Sequence, residues 1–272
     1  MTVLLPKYIL PSLLVFLMIS ACSSTETLRV HQEQTEIQVD GSLTHWPVQE
    51  ALIHNSETFD FYTTQDDEHL YIFVNFKSPF YNQAVDNSGF ILYLGGEDKD
   101  TRNRKGLAYP TGAFNQLRAD AGAYRELLRD DEWLYNPQNQ QRLERMQESN
   151  FDEFMLVERF DDGTDAQYGA ITINQLEAQG IEIAAERGQR YYSLEYKIPL
   201  NGAAPFDLTP GNTYWLGFAI EPPDFNFRDS GASTNQGYGY GQRRRQPSSS
   251  DRRMYMRRQM GEFSEWFRIE IR

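Results

Sequence analysis

The chain has 272 residues and a single cysteine, which excludes a fold held together by disulfides and a zinc site built from several cysteines. Hydrophobic residues make up 40% of the chain and aromatic residues 14%, which is enough apolar material for a folded core. The net charge of −13 argues against affinity for a phosphate backbone, so we expect no nucleic-acid partner.

The N-terminus carries a targeting signal. An apolar stretch over residues 8–21 follows the positive charge of Lys7, and its length of about fourteen residues is too short for a permanent transmembrane helix. We therefore predict that residues 1–21 form a secretory signal peptide. Cys22 comes directly after Ile19-Ser20-Ala21, and this pattern resembles the lipobox of bacterial lipoproteins. The resemblance implies cleavage before Cys22 and its acylation, which anchors the mature chain to a membrane.

The residues after the cysteine predict a tether and a single domain. In enterobacterial lipoproteins, an aspartate directly after the acylated cysteine retains some proteins in the inner membrane. Ser23 occupies this position here, so the resemblance implies a location in the outer membrane. Residues 22–34 are polar and have no apolar periodicity, which is typical of a lipidated tether. We assign residues 35–272 to one folded domain.

Short runs of β-branched and aromatic residues, separated by turn formers, follow from residue 35 onward. Two of them flank the acidic turn Asp66-Asp67-Glu68, which is a hairpin signal. The set indicates an all-β fold, an antiparallel β-sandwich with a short helical insertion. The predicted strands are 35–39, 59–63, 70–76, 90–94, 154–159, 168–173, 181–185, 191–198, 214–221 and 266–271.

Two regions are too long to be hairpin turns, so each is a candidate for function or for disorder. Apolar residues recur at helical spacing over about 115–148, interrupted at Asn136-Pro137, which predicts two short inserted helices. Residues 225–258 are rich in glycine, serine and arginine and predict a long loop.

Three segments resemble a known family. Residues 37–46 (IQVDGSLTHW), 67–74 (DEHLYIFV) and 192–200 (YSLEYKIPL) are similar, in order and spacing, to segments of family 9 carbohydrate-binding modules and their DOMON-like relatives. The resemblance implies a β-sandwich across about 37–272. Members that bind sugar stack exposed aromatic rings on pyranose faces and hold hydroxyl groups with carboxylates or amides, sometimes beside structural calcium.

The aromatic residues divide into core and surface candidates. Trp46 and Trp215 lie in apolar strand segments and are expected in the core. Trp133 and Tyr135 lie in the polar insertion, so we predict them as an exposed, ligand-binding aromatic pair. A glycine-rich loop can present further rings, although the same loop is also consistent with disorder. The secondary candidates in loops are Tyr109, Phe114, Tyr238 and Tyr240.

Two charged clusters have two interpretations each. The segment Asp161-Asp162-Gly163-Thr164-Asp165 offers the hard oxygen ligands that calcium prefers, through Asp161, Asp162 and Asp165, but the same residues are good turn formers. An arginine cluster predicts a patch for an anionic partner, or a solvated loop that pairs with the protein's own carboxylates. Its candidate residues are Arg243, Arg244, Arg245, Arg252 and Arg253.

No motif indicates catalysis. The four histidines are scattered, and neither a His-Glu-x-x-His pair nor a Gly-x-Ser-x-Gly motif is present. We therefore expect a non-catalytic exported lipoprotein of the cell envelope that binds a glycan or polysaccharide and needs no cofactor, apart from the calcium alternative. The alternative function is an envelope protein that holds a protein partner. DOMON-like haem binding, which would pair a methionine such as Met155 with His54 or His69, is a further alternative.

Overall fold

The computed structural model describes residues 27–33, 36–96, 104–130, 133–159, 166–188, 192–223, 257–258 and 260–272. The predicted signal peptide and several candidate site residues lie outside these ranges. Those candidates are Cys22, Asp161, Asp162, Asp165, Tyr238, Tyr240, Arg243, Arg244, Arg245, Arg252 and Arg253.

The described strands form two sheets. The first sheet has seven strands in the spatial order β1 (Thr27–Arg29), β13 (Phe263–Glu270), β12 (Thr213–Ile220), β6 (Ile91–Gly95), β7 (Arg104–Ala108), β8 (Phe154–Arg159) and β9 (Gln167–Ile171). The second has the order β10 (Glu182–Arg187), β11 (Tyr192–Pro199), β5 (His69–Phe76) and β4 (Phe59–Gln65), and the far edge of β4 pairs with β3 (Leu52–Asn55) and with β2 (His31–Gln32). The pairs β1–β13 and β2–β4 are parallel, and the other described pairs are antiparallel.

The main core lies between the two sheets. Phe61 of β4 contacts Phe218 of β12 with ring centroids 4.8 Å apart, and Phe76 of β5 lies 5.8 Å from Phe263 of β13. Successive strand residues point to opposite faces, so alternate apolar residues of each sheet enter this layer. The predicted all-β sandwich is confirmed, and its second sheet is built around the predicted hairpin.

The turn of that hairpin is fixed by Asp66. Its Oδ1 accepts hydrogen bonds from the backbone N–H groups of Glu68, at 2.8 Å, and His69, at 2.6 Å. Its Oδ2 accepts one from the hydroxyl of Tyr71 at 2.7 Å. Burial opposes ionisation of Asp66, but these hydrogen bonds outweigh it and lower the pKa of the carboxyl.

The described residues also form short helices. They are α1 (Val48–Ala51), α2 (Pro79–Ser88), α3 (Ala113–Ala119), α4 (Ala121–Arg129), α5 (Pro137–Glu148) and α6 (Ile173–Ala178), with short 3₁₀ turns at Leu43–His45 and Trp133–Tyr135. The insertion contains three helices where the sequence predicts two. The reason is Asp120, which ends α3 and whose carboxylate accepts from the N–H groups of Gly122 and Ala123 to start α4.

The N-terminal segment differs from its prediction. Residues 27–32, expected in the tether, add β1 to one sheet and β2 to the other, and Val30 between them is only 2% exposed. We call residues 27–32 the N-terminal strap. The predicted strand at 35–39 is wrong in its described part, 36–39, which pairs with no strand. Instead Ile37 is buried on the outer face of the second sheet.

Side chains of β11 hold this segment on the outer face. Ser193 donates a hydrogen bond to the carbonyl of Gly41 at 2.9 Å, and Lys197 donates to the carboxylate of Glu36 at 2.5 Å. Between them, Glu195 accepts hydrogen bonds from Trp46 and from the backbone of the Asp40-Gly41 turn. Because these are alternate residues of one strand, their side chains point to the same face.

Candidate functional site

Helix α2 forms one wall of a surface cleft. The sequence favours a helix here because Pro79 occupies its first turn and Gly89, with φ of 74°, follows its last residue. Val85 belongs to the main core, and Ala84 packs against Gly261, where an added Cβ would lie 2.3 Å from the Ala84 Cβ. Burial of this face leaves another face of the helix to line the cleft.

The cleft, of about 480 Å³, lies between α2 and the end of β10. Positions 79, 82, 83 and 86 follow the three- and four-residue spacing that places side chains on one side of a helix. The lining residues are Pro79, Asn82, Gln83, Asp86, Arg187 and Gly188. The wall therefore combines two amides, a carboxylate and a guanidinium group.

Asp86 and Arg187 form an ion pair across the cleft. The Nη2 of Arg187 lies 2.5 Å from Oδ2 of Asp86, and the Asp86 side chain is 18% exposed whereas that of Arg187 is 51% exposed. Burial raises the pKa of Asp86, and the positive charge of Arg187 opposes this shift. The carboxylate is thus the inner partner and the guanidinium the outer one.

A buried hydroxyl group lies near this pair. Tyr192 is the cross-strand partner of Arg187, so the two side chains project from the same side of the sheet. Tyr192 is fully buried and stacks on Phe151, with centroids 6.2 Å apart. Burial raises the pKa of Tyr192, and the charge of Asp86 adds to this effect. Within the described residues its hydroxyl has no hydrogen-bond partner.

The end of the insertion supports the cleft wall from behind. The side chain of Asn150 donates a hydrogen bond to the backbone carbonyl of Asp86 at 2.6 Å. Gln147, in α5, donates to Oδ1 of Asn87 at 2.6 Å. These bonds hold the last turn of α2, which carries Asp86, in a fixed position.

One exposed aromatic ring lies on the same helix. Phe80 follows Pro79, is 45% exposed and packs edge-on against Tyr81 with centroids 5.4 Å apart. Aromatic rings and groups that can both donate and accept hydrogen bonds are suited to hydroxyl-rich ligands, because such ligands present apolar faces and polar rims. The helix therefore offers both kinds of group.

The two residues of the predicted aromatic pair differ in exposure. Trp133 is only 3% exposed and packs with Leu117 and Leu127 in a small core of the insertion, so its prediction as a surface ring is wrong. The insertion is long enough to bury its own tryptophan beneath its helices. Tyr135, two residues later, is 76% exposed.

Two further candidates are also buried. Tyr109 is 9% exposed and stacks on Phe154 with centroids 4.4 Å apart, and Phe114 is 4% exposed. Their prediction as loop rings available to a ligand is wrong, because both side chains complete apolar clusters. Trp46 and Trp215, at 6% and 8% exposed, are confirmed in buried positions.

Metal and haem ligands are not brought together in the parts of the chain that the structure describes. No group of three or more histidine, cysteine, aspartate or glutamate residues there is placed to hold a metal ion. Met155 packs on the outer face of the first sheet, whereas His54 and His69 belong to β3 and β5 of the second sheet. Across the same described ranges, no helix has the length and apolar character needed to cross a membrane.

The sequence patterns did not predict the residues that line the cleft. Asn82, Gln83 and Asp86 fall between two predicted strands, and Arg187 lies two residues beyond the predicted strand 181–185. The available signal was the sequence Ser78-Pro79 followed by Gly89, which is typical of a helix start and stop.

The chain is similar to some solved structures. No family model and no curated protein matches the chain. Two similar solved structures are of a family 9 carbohydrate-binding module from Caldicellulosiruptor kristjanssonii, one in complex with glucose and the other with cellotriose. Each is 11% identical and covers 72% of this chain. The alignments cover 79% and 77% of the respective modules, with TM-scores of 0.35 and 0.33.

Proposed function

We propose that this chain is a non-catalytic lipoprotein of the bacterial cell envelope whose β-sandwich binds a glycan or polysaccharide in the cleft between α2 and β10. The observation that carries the proposal is the composition of that cleft. Asn82, Gln83, Asp86 and Arg187 surround one cavity of about 480 Å³ with amide, carboxylate and guanidinium groups. Concave sites with a few converging polar groups are the usual form of small-ligand sites.

The chemistry of these groups fits neutral hydroxyls. A sugar hydroxyl both donates and accepts, so it can donate to Asp86 while accepting from an amide or from Arg187. Phe80 offers an exposed ring on the same helix, outside the residues that line the cleft.

The envelope location rests on the N-terminal sequence. The apolar stretch before Cys22 and the lipobox-like residues in front of it support export and acylation. Metabolic labelling with a fatty-acid analogue tests this part, since Cys22→Ala should abolish the label. Equal labelling of the two proteins would contradict the anchor.

A binding screen tests the ligand. We expect the folded chain to bind at least one member of a glycan array and of a polysaccharide pull-down panel, run with and without calcium. Gln83→Ala should weaken that binding at least tenfold, because it removes an exposed cleft amide. Gln138→Ala, an exposed glutamine on α5, is the matched control and should bind like the wild type.

The screen also separates the two predicted functions. A folded protein that binds no glycan would contradict the proposal and favour the alternative, an envelope protein partner. Binding that is lost in Tyr135→Ala and kept in Gln83→Ala would move the site from the cleft to the insertion.

A further inference from the structure

We infer that the strap edge of the sandwich faces the membrane and that the cleft between α2 and β10 faces away from it. By strap edge we mean the edge formed by β1 and β2. The inference rests on the proposed lipid anchor at Cys22. It gives the glycan site an orientation, since the ligand then approaches from the side opposite to the anchoring bilayer.

The anchor is joined to the folded domain by a very short link. Thr27 is the first residue of β1 and pairs with Arg268 of β13. Four residues lie between Cys22 and Thr27, so five Cα-to-Cα steps join them, and a fully extended chain of that length spans at most about 18 Å. The bilayer surface therefore lies within that distance of the strap edge.

The strap is firmly attached to both sheets. The backbone N–H of Val30 donates to the carbonyl of Glu270 at 3.2 Å, and that of Glu33 donates to the carbonyl of Gln65 at 2.7 Å. Thr64 donates through its hydroxyl to the carbonyl of His31 at 3.0 Å. Because β1 pairs with β13, the link cannot lengthen without unpairing β1 from the first sheet, and β2 then still holds the chain on the second sheet.

The β10 wall of the cleft lies at the opposite edge of the second sheet, whereas its α2 wall packs against Gly261, two residues before β13. In the second sheet β10, which carries Arg187, is four strand positions from β2, or about 19 Å at the usual strand spacing. Arg187 therefore stands at the far side from the point where the anchored segment enters.

The cleft is also displaced along the strand direction. Arg187 pairs with Tyr192 of β11, and Tyr192 pairs with Phe76 of β5. Because the ring of Phe76 contacts that of Phe263, Arg187 lies at the same position along the strand direction as the start of β13. Thr27 pairs five residues further along β13, which is about 17 Å away. Anchor entry and cleft are thus separated diagonally across the sandwich.

The test measures the depth of two labels in vesicles. The sequence has one cysteine, and acylation consumes it, so a cysteine introduced elsewhere is the single labelling site. Full-length acylated Arg29→Cys and Gln83→Cys proteins would be labelled with the same fluorophore. They would then be reconstituted into phosphatidylcholine vesicles that carry a nitroxide on a fraction of the head groups.

We expect the head-group nitroxide to quench the fluorophore at position 29 at least twice as strongly as the fluorophore at position 83. Insertion of about twenty Gly and Ser residues between Cys22 and Thr27 should reduce the quenching at position 29, because a flexible linker lets the domain move away. Equal quenching at the two positions, stronger quenching at position 83, or no effect of the linker would overturn the inference.

Vesicle flotation separates failure of the orientation from failure of the anchor. Wild-type protein should float with the vesicles, and Cys22→Ser protein should not. If the wild type does not float, the anchor is overturned and the orientation with it. If it floats and the labels are quenched equally, only the orientation is overturned, and glycan binding is judged separately by the screen described above.

Discussion

The indole N–H of Trp46 donates a hydrogen bond to Oε1 of Glu195 at 2.7 Å, which joins two residues that are 149 positions apart in the chain. Oε2 of the same carboxylate accepts from the backbone N–H groups of Asp40, at 2.9 Å, and Gly41, at 2.7 Å. A fully buried carboxylate is costly unless hydrogen bonds satisfy it. Glu195 therefore fixes the segment before α1 on the outer face of the second sheet.

Glu195→Gln should lower the free energy of unfolding by about 1 to 3 kcal/mol, because an amide nitrogen would replace an oxygen that accepts hydrogen bonds. Urea unfolding at neutral pH measures the change. Glu177→Gln, on the exposed side of α6, is the matched control and should change stability by less than about 0.5 kcal/mol. Equal stability of the two variants would contradict the role given to Glu195.

The same residue predicts a pH dependence. Burial raises the pKa of Glu195, although the hydrogen bonds from Trp46 and the Asp40-Gly41 turn oppose the shift. The folded state therefore binds this proton more tightly than the unfolded chain does. The resulting stabilisation is fully present below the ordinary glutamate pKa and is lost as the pH rises through the raised value.

The stability difference between wild type and Glu195→Gln should consequently shrink as the pH rises from about 4.5. Urea unfolding of both proteins in half-unit pH steps measures this. A difference that stays constant or grows with pH in that range would show that the carboxyl pKa is not raised.

Tyr192→Phe should leave the protein as stable as the wild type or raise its free energy of unfolding by about 1 kcal/mol. The change removes a buried hydroxyl that has no hydrogen-bond partner within the described residues. Thermal unfolding measures the effect, and a loss of more than about 1 kcal/mol in stability would mean that the hydroxyl is satisfied.

Trp133→Ala should destabilise the protein by about 3 to 5 kcal/mol, because it empties the small core of the insertion. Tyr135→Ala, at an exposed ring two residues away, should cost less than about 0.5 kcal/mol. Denaturant unfolding of the two variants distinguishes a buried ring from a surface one. Similar unfolding midpoints would indicate that the Trp133 side chain is exposed, not buried.

Gly112→Ala should destabilise the protein by about 2 to 4 kcal/mol. Gly112 has φ of 73°, and an added Cβ would lie 1.9 Å from the backbone nitrogen of Gly89. Gly169→Ala on β9 is the control, because an added Cβ there meets nothing within 4 Å. Circular dichroism melting curves compare them, and similar melting temperatures would contradict the close approach of the two backbones.

The strands were predictable because their signal is local. Alternating apolar residues on either side of Asp66-Asp67-Glu68 predict β4 and β5, and turn formers mark most of the other boundaries. Helix α2 was missed, although Pro79 and Gly89 mark its ends, because its buried face is only a few residues wide. The cleft was missed with it.

The burial of Trp133 and Tyr109 could not be read from their neighbours in the chain. Both lie among polar residues or turn formers, and their partners come from other elements: Leu117 and Leu127 for Trp133, and Phe154 for Tyr109. Tertiary packing decides such positions. Tertiary packing also decides the structure of the strap. Its sequence is polar, and the partners of its two strands, β13 and β4, come later in the chain.

The strap also limits how the sandwich can meet another copy of itself. Without residues 27–32, the first sheet would end at β13, an eight-residue strand with an unpaired row of backbone groups. With the strap in place, that sheet ends at β1, which has three residues, and β2 covers part of the edge of β4. Very short edge strands are one of the ways in which β proteins avoid joining sheet to sheet. Because β1 pairs with Arg268, Ile269 and Glu270, the strap shortens the edge of β13 that is open to pairing with another copy.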